Sequence, residues 1–427
     1  MKKGRADLEI HDGATRLRWN FGMGLLHGVF FTGGMAFSNP SAVLPVFLNV
    51  FTRSRIAVGL LSTVMNISSV LPQLWVANKI ETKVHKKPIL VMALIVRALC
   101  WGFLGLITYL FSGSHPLTVV LALFFLLGIF SLMGGVAVVP FMDIWGKAIP
   151  PTLRGRFFGH RQLWGGLLAF GVGFVVKRIL GNQRIAFPDN YALLFLFSFI
   201  FIAISYVALG SVKEPMEAVR KKPTAFRDFL RRTLHILRSN ENYRTFLIVQ
   251  ILAGAGGIAL PFYVLYAKNI IGVKAEMIGL FISAQMLGGT LSNLLWAYVS
   301  DYVGNKRVIQ TAVFIASSMP LIALSASKGS QWLFVVVFVL MGFSTAGSSI
   351  GYTNFLLDIA PTGERPTYVS LNGTLTFPIM VYPLIGGVIA NYLSYRSLFV
   401  VAMMLTLVGA ILSMFLKEPR AQIGSTG

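Results

Sequence analysis

Few residues in this chain have the type and spacing to do covalent chemistry. The six histidines, His11, His27, His85, His115, His160 and His235, are scattered one per segment, so no pair has metal-ligand spacing. The single cysteine, Cys100, has no disulfide partner. All fifteen acidic residues lie in polar stretches or at the ends of apolar runs, none in the middle of one. Paired carboxylates, a His cluster or a Ser/His pair are what intramembrane catalysis needs, and none forms here. No Gly-x-x-x-x-Gly-Lys-Ser/Thr loop is present to cradle a nucleotide. The sequence therefore predicts a protein that is not an enzyme, with no cofactor and no metal site.

Two ionisable groups within apolar runs stand out. His27 is a candidate proton carrier, because its ordinary pKa is about 6.5. A neutral, hydrogen-bonded histidine is the plainer reading. Arg97 lies midway along the third run, where a charge is costly unless paired or snorkelling. It is a candidate anion ligand; a structural partner is the plainer reading. The absence of a mid-run carboxylate argues against a carboxylate-driven proton symporter and against recognition of a cationic drug by a buried acid.

The elements that must position these groups are apolar helices. Hydrophobic residues make up 55% of the 427 and charged ones 12%. The runs are continuous rather than alternating, which excludes a membrane barrel. A spanning helix needs about 20 apolar residues. Twelve runs meet this, at 20–50, 56–78, 88–111, 117–142, 161–180, 191–211, 245–267, 277–299, 307–326, 332–357, 367–390 and 396–416. The net charge of +22 invites a nucleic-acid reading, but the charges are sorted by topology. With the N-terminus inside, the outer loops hold only Arg53, Arg55, Lys177, Arg178, Arg184, Lys268, Lys274, Lys328 and Arg396. The rest, Arg97 apart, fall inside, as orientation by positive charge requires. Both termini are expected in the cytoplasm of a multi-pass plasma-membrane protein, without a cleaved signal peptide.

Six runs precede a basic segment and six follow. The expected organisation is a six-helix bundle at 1–211, a cytoplasmic linker at 212–243 and a second bundle at 244–427. Within the linker, Phe226, Phe229, Leu230, Leu234 and Leu237 recur at helical spacing, which predicts an amphipathic helix in the headgroup layer. The halves echo each other. Residues 73–87 align without gaps on 293–307, placing Glu81 on Asp301 and Lys86-Lys87 on Lys306-Arg307. Gly33-Gly34-Met35-Ala36 matches Gly256-Gly257-Ile258-Ala259, and Asp143 and Asp358 close the fourth and tenth runs. Together these argue for a duplicated unit.

This layout resembles the major facilitator superfamily of secondary transporters. The likeness covers the whole chain: twelve spans in two pseudo-symmetric six-helix bundles, a central linker, and the loop between spans 2 and 3 of each half. The family's pattern there, Gly-x-x-x-Asp-Arg-x-Gly-Arg-Arg, reads Ala297-Tyr-Val-Ser-Asp301-Tyr-Val-Gly304-Asn-Lys306-Arg307 in the second half. Ala297 and Tyr302 depart from it, and in the first half Glu81 and Val84 replace the Asp and the turn Gly. The resemblance implies a cytoplasmic gate of Glu81, Lys86, Lys87, Asp143, Arg154, Arg156, Asp301, Gly304, Lys306, Arg307, Asp358 and Arg365. The alternative is that these charges only anchor helix ends. It also implies a central cavity lined by spans 1, 4, 7 and 10. Spans 1 and 7 carry glycines followed by Asn39-Pro40 and Pro261, which predicts interrupted helices there. The candidate ligand contacts are Phe37, Asn39, Asn66, Tyr263, Gln285, Tyr352, Asn354 and Asn372.

The expected function is alternating-access transport of a small molecule by a protein that works as a monomer in the bilayer. Gradient-driven export of a neutral or amphipathic compound is preferred, because the spans carry amides and aromatics and no acid. Proton- or ion-coupled uptake is the alternative, with a non-transporting receptor or scaffold as a third reading.

Overall fold

The computed structural model describes residues 2–80, 85–214, 236–237, 240–361 and 364–419. The linker segment from Phe226 to Leu234, with its expected amphipathic helix, lies outside the described residues, as does Glu81. Among those described, the regular structure is helical throughout. That follows from the composition, because lipid offers no hydrogen bonds and a helix pairs its backbone internally.

The first half contains α1 (Lys2–Phe37), α2 (Val43–Phe51), α3 (Arg55–Ile80), α4 (Lys87–Phe111), α5 (Pro116–Ala148), α6 (Pro151–Gly181) and α7 (Asp189–Gly210). The second contains α8 (Glu241–Gly254), the short α9 (Phe262–Tyr266), α10 (Met277–Tyr302), α11 (Asn305–Ser325), α12 (Gln331–Ile359), α13 (Arg365–Leu375), α14 (Tyr382–Tyr392) and α15 (Tyr395–Ser413). Eleven helical stretches among the described residues are long and apolar enough to cross a bilayer. The remaining expected span, 20–50, is built from α1 and α2 on either side of a break at Asn39-Pro40.

Span 7 is broken at the matching place. After α8 come a 3₁₀ turn (Ala255–Ile258), Pro261, α9 and a π turn (Ala267–Ile271). The glycines and prolines predicted both breaks. A third, unpredicted break lies in span 11, where Phe377–Val381 forms a 3₁₀ turn between α13 and α14. Pro378 and Pro383 remove backbone donors there.

The cytoplasmic loop expected between spans 4 and 5 is absent. Helix α5 runs on to Ala148, Pro150 turns the chain, and α6 starts with Pro151 at its first position. Arg154 and Arg156 therefore sit on the first turns of α6 rather than in a loop, and Arg161 lies well inside the helix. Likewise Arg365 opens α13.

The chain divides into two compact units. Unit 1 comprises Met1–Asn39 and Val64–Lys222; unit 2 comprises Pro40–Thr63 and Pro223–Gly427. In unit 1, α1 packs on α6 and α7, and α4 packs on α5 and α7. In unit 2, α12 packs on α10 and α11, and α15 packs on α11 and α8. The segment 40–63 thus belongs with second-half helices: α2 lies on α9, the Arg55 guanidinium sits 4.4 Å over the Tyr395 ring, and Thr63 Oγ1 accepts from the Leu384 amide at 3.1 Å.

Without a hydrophobic force between helices in lipid, close packing must hold them together, and small residues permit it. A Cβ built on Gly342 of α12 would fall inside the Gln285 carbonyl of α10; one on Gly288 would strike the Val339 carbonyl. Backbone atoms cannot swing aside as side chains do. Gly342→Ala is therefore expected to cost about 1–3 kcal/mol, read as a fall in the midpoint of detergent-solubilised thermal unfolding. Gly113→Ala, with nothing within 4 Å of its Cβ, should stay near wild type.

Candidate functional site

Two kinds of polar construction stand out: a hydrogen-bonded belt at the end of each unit, and a basic-aromatic cluster inside unit 1.

The belts follow one plan. In unit 1, Asn20 of α1 donates from Nδ2 to the Lys213 carbonyl at 3.0 Å and accepts the Lys213 amide at 2.9 Å. In unit 2, Asn242 of α8 does the same with Lys417, at 2.9 and 3.0 Å. The next residue is in each case a glutamate that caps a helix. Glu214 accepts the Lys86 and Lys87 amides at the start of α4, at 3.2 and 3.1 Å. Glu418 accepts the Lys306 amide at the start of α11, at 2.8 Å. A carboxylate satisfies the orphan donors of a helix N-terminus and the positive end of its dipole. A lysine side chain closes each belt from a non-equivalent position: Lys87 Nζ donates to the Val212 carbonyl and Lys306 Nζ to the Met414 carbonyl, both at 2.9 Å.

Glu214, Glu418, Asn20 and Asn242 escaped the sequence reading. The signal was the tripeptide Lys213-Glu214-Pro215, repeated as Lys417-Glu418-Pro419 just after the last span of each half.

Expected gate residues fall on or near these belts. Asp143 forms ion pairs with Lys86 at 2.7 Å and with Lys147, one turn along α5, at 2.6 Å. Gly304 has φ of 111°, and a side chain there would collide with the Glu418 carboxylate. Asp358 accepts from Asn305 Nδ2 at 2.7 Å; Asn305 Oδ1 accepts from Ser300 Oγ at 2.6 Å, and Ser300 Oγ accepts from Asn354 Nδ2 at 3.1 Å. This relay ties Asn354, expected at the ligand, to Asp358, expected at the gate. Arg154 instead donates to the Ile149 and Gly146 carbonyls, and so staples the turn between α5 and α6. Arg307 donates to Gln310 Oε1 at 3.2 Å. Arg156, Asp301 and Arg365 are exposed.

The other ligand candidates are dispersed. Phe37 is buried against Phe197 and Phe201, with ring centroids 5.2 Å away in both pairs. Asn39 is buried at the break in span 1, and Asn66 is exposed on α3. Tyr263 stacks on Phe399 at 5.0 Å, and Tyr352 meets Phe246 edge-on at 5.9 Å. Gln285 is half-buried on α10, where its carbonyl meets Gly342. The hydroxyl of Tyr352 and Oδ1 of Asn372 are buried without a hydrogen-bond partner.

Inside unit 1, His27 is buried and its Nδ1 lies 2.6 Å from Ser205 Oγ, which donates to the His27 carbonyl at 2.9 Å. Its ring is 5.8 Å from Phe31, 6.2 Å from Tyr206 and 5.7 Å from Phe141. The Arg97 guanidinium lies 4.3 Å over Phe130 and 5.7 Å from both Phe31 and Tyr206. Arg161 lies 5.3 Å over Phe141. Arg97 does not snorkel out of the bundle; it is held by aromatic faces inside it.

The chain is similar to known transporters in part of its sequence and in its fold. Residues 245–426 match the family model described as Major Facilitator Superfamily. The MFS-type transporter YqjV of Bacillus subtilis is 25% identical over 167 residues, 39% of this chain and 40% of that protein. The sodium-dependent phosphate transport protein 1 of Mus musculus is 28% identical over 138 residues, 32% of this chain and 29% of that protein. The chain thus spans well under half of either relative. Among solved structures, the nucleoside transporter NupG superposes with a TM-score of 0.65 at 14% identity, covering 93% of this chain and 98% of that one. An inward-facing bacterial homologue of the iron transporter ferroportin gives 0.69 at 14% identity, covering 94% and 98%.

The belts predict a stability test. Glu418→Gln removes a charge from the start of α11 and is expected to cost about 0.3–1 kcal/mol. Glu241→Gln removes an exposed charge from the first turn of α8 and breaks its exposed 3.4 Å pair with Lys417. With both groups in solvent, its cost should fall below that of Glu418→Gln in the same thermal-unfolding assay. The second half of the chain is thus similar in sequence to the major facilitator superfamily, and nearly the whole length shares the fold of the solved transporters.

Proposed function

We propose that this protein moves an amphipathic small molecule across the plasma membrane by alternating access, with both termini in the cytoplasm. The observation that carries this reading is the set of interrupted helices in spans 1, 7 and 11. A break frees backbone donors and acceptors at membrane depth, which is tolerated only where protein or a cavity meets them. The aromatics and amides near the breaks, Phe37, Asn39 and Tyr263 among them, suit a ligand with an apolar body and a few polar groups. The driving force is a gradient, and export is the preferred direction.

We assign the gate to the ends of the bundles. Asp143 with Lys86 and Lys147, and Asp358 with Asn305, are groups whose pairing can alternate with partners elsewhere. The exposed Asp301, Arg156 and Arg365 are available for such exchange, and His27 is the candidate proton site. Ion-coupled uptake is the second reading; it is favoured by the mouse relative, whose name states sodium dependence.

Flux in proteoliposomes separates these readings. Asp143→Asn and Asp301→Asn are expected to lower substrate counterflow about tenfold, with the unfolding midpoint near wild type in Asp301→Asn, whose carboxylate is exposed. Unchanged flux in both would remove the gate assignment. A sodium or proton gradient that drives accumulation would favour uptake over export.

A further inference from the structure

We propose that Arg97 and Arg161, flanking His27 inside unit 1, form a binding site for an anionic group, a carboxylate or phosphate. The inference deepens the transport reading by naming the charge of its cargo, and rests on that reading for the cargo's movement.

Three cationic or potentially cationic side chains converge from α1, α4 and α6. Phe31 and Tyr206 touch both His27 and Arg97, and Phe141 touches both His27 and Arg161. Among the described residues, neither arginine has a carboxylate within ion-pair distance. Arg97 Nε and Arg161 Nη1 are buried without a hydrogen-bond partner. Asp143, two residues beyond Phe141 on α5, is already shared by two lysines.

Like charges do not gather in a bilayer interior without compensation, and intramembrane charges mark ligand paths. Aromatic faces offset part of the cost. They do not satisfy N–H donors aimed along the guanidinium plane, whose fork matches carboxylate and phosphate geometry. The backbone also makes room for both groups. A Cβ on Gly28 would strike Arg161 Nε, and one on Gly134 would lie 3.0 Å from Arg97 Nη1. The ring walls suit an anion attached to an apolar or aromatic body.

The test is binding to the purified full-length protein in zwitterionic nanodiscs, by calorimetry and thermal shift. The probes are inorganic phosphate, 1-naphthoate, 1-naphthyl phosphate and the neutral 1-naphthamide. The expected result is binding of at least one anion, with the neutral amide at least tenfold weaker. Arg97→Gln and Arg161→Gln should each weaken it tenfold or more, with partial recovery in Arg97→Lys and Arg161→Lys. If the Gln variants do not fold, Gly28→Ala, which crowds Arg161 without removing charge, should weaken the same anion.

Competition by added phosphatidylglycerol would identify a lipid headgroup as the source of the anion; indifference to it would identify a soluble ligand. Either upholds the site. No anion binding, or binding that survives the double Gln variant, overturns it. Transport of neutral compounds with no anion binding would leave the transport reading standing and remove this one. Arginine-dependent binding with no flux of any probe would do the reverse.

Discussion

Inside a bilayer no water stands ready to satisfy a polar group, and that shortage organises this molecule. It makes the spans helical, because a helix is the segment that pairs its own backbone. It keeps acidic residues out of the middle of every apolar run. It also makes each departure from regular helix informative, since freed backbone groups must be met by protein, solvent or ligand. The breaks at Asn39-Pro40, at Pro261 and around Pro378 lie in spans 1, 7 and 11. The first two occupy corresponding positions in the halves, as expected where a duplicated unit carries a site.

At the helix ends the same shortage is met with carboxylates. Glu214 and Glu418 cap α4 and α11, while Asn20 and Asn242 clamp the backbone just before them. The two units build this from the same residue types in the same order. A capped helix end is also a fixed platform, and it holds Lys86 beside Asp143 and Asn305 beside Asp358. The groups proposed to rearrange therefore sit next to groups that cannot, which is what a two-position device requires.

Much of this was legible in the sequence. Hydropathy located the spans, and Gly-Pro punctuation located two of the three breaks. The repeat between 73–87 and 293–307 exposed the duplication. What stayed hidden has physical reasons. Hydropathy reads the part of a helix that meets lipid, not the helix itself, so α5 and α6 extend through what read as a loop. Arg161 was consequently placed in the cytoplasm, when it reaches into unit 1 beside Phe141. The helix caps were missed because capping joins residues far apart in the chain, Glu418 to Lys306 for example, and a single sequence does not display such pairs. The break in span 11 was missed because Pro378 and Pro383 lie within an otherwise unbroken apolar run.

Alternating access is tested most directly by labelling a single cysteine from both sides of the membrane. Asn66, exposed on α3, is the position to use, as Asn66→Cys in a protein whose buried native thiol is removed by Cys100→Ala. Oriented vesicles would be treated with a membrane-impermeant maleimide, first outside and then inside. Alternating access predicts labelling from either side, with the balance shifted by a transported compound. Labelling from one side alone, unchanged by any compound that binds, would contradict it.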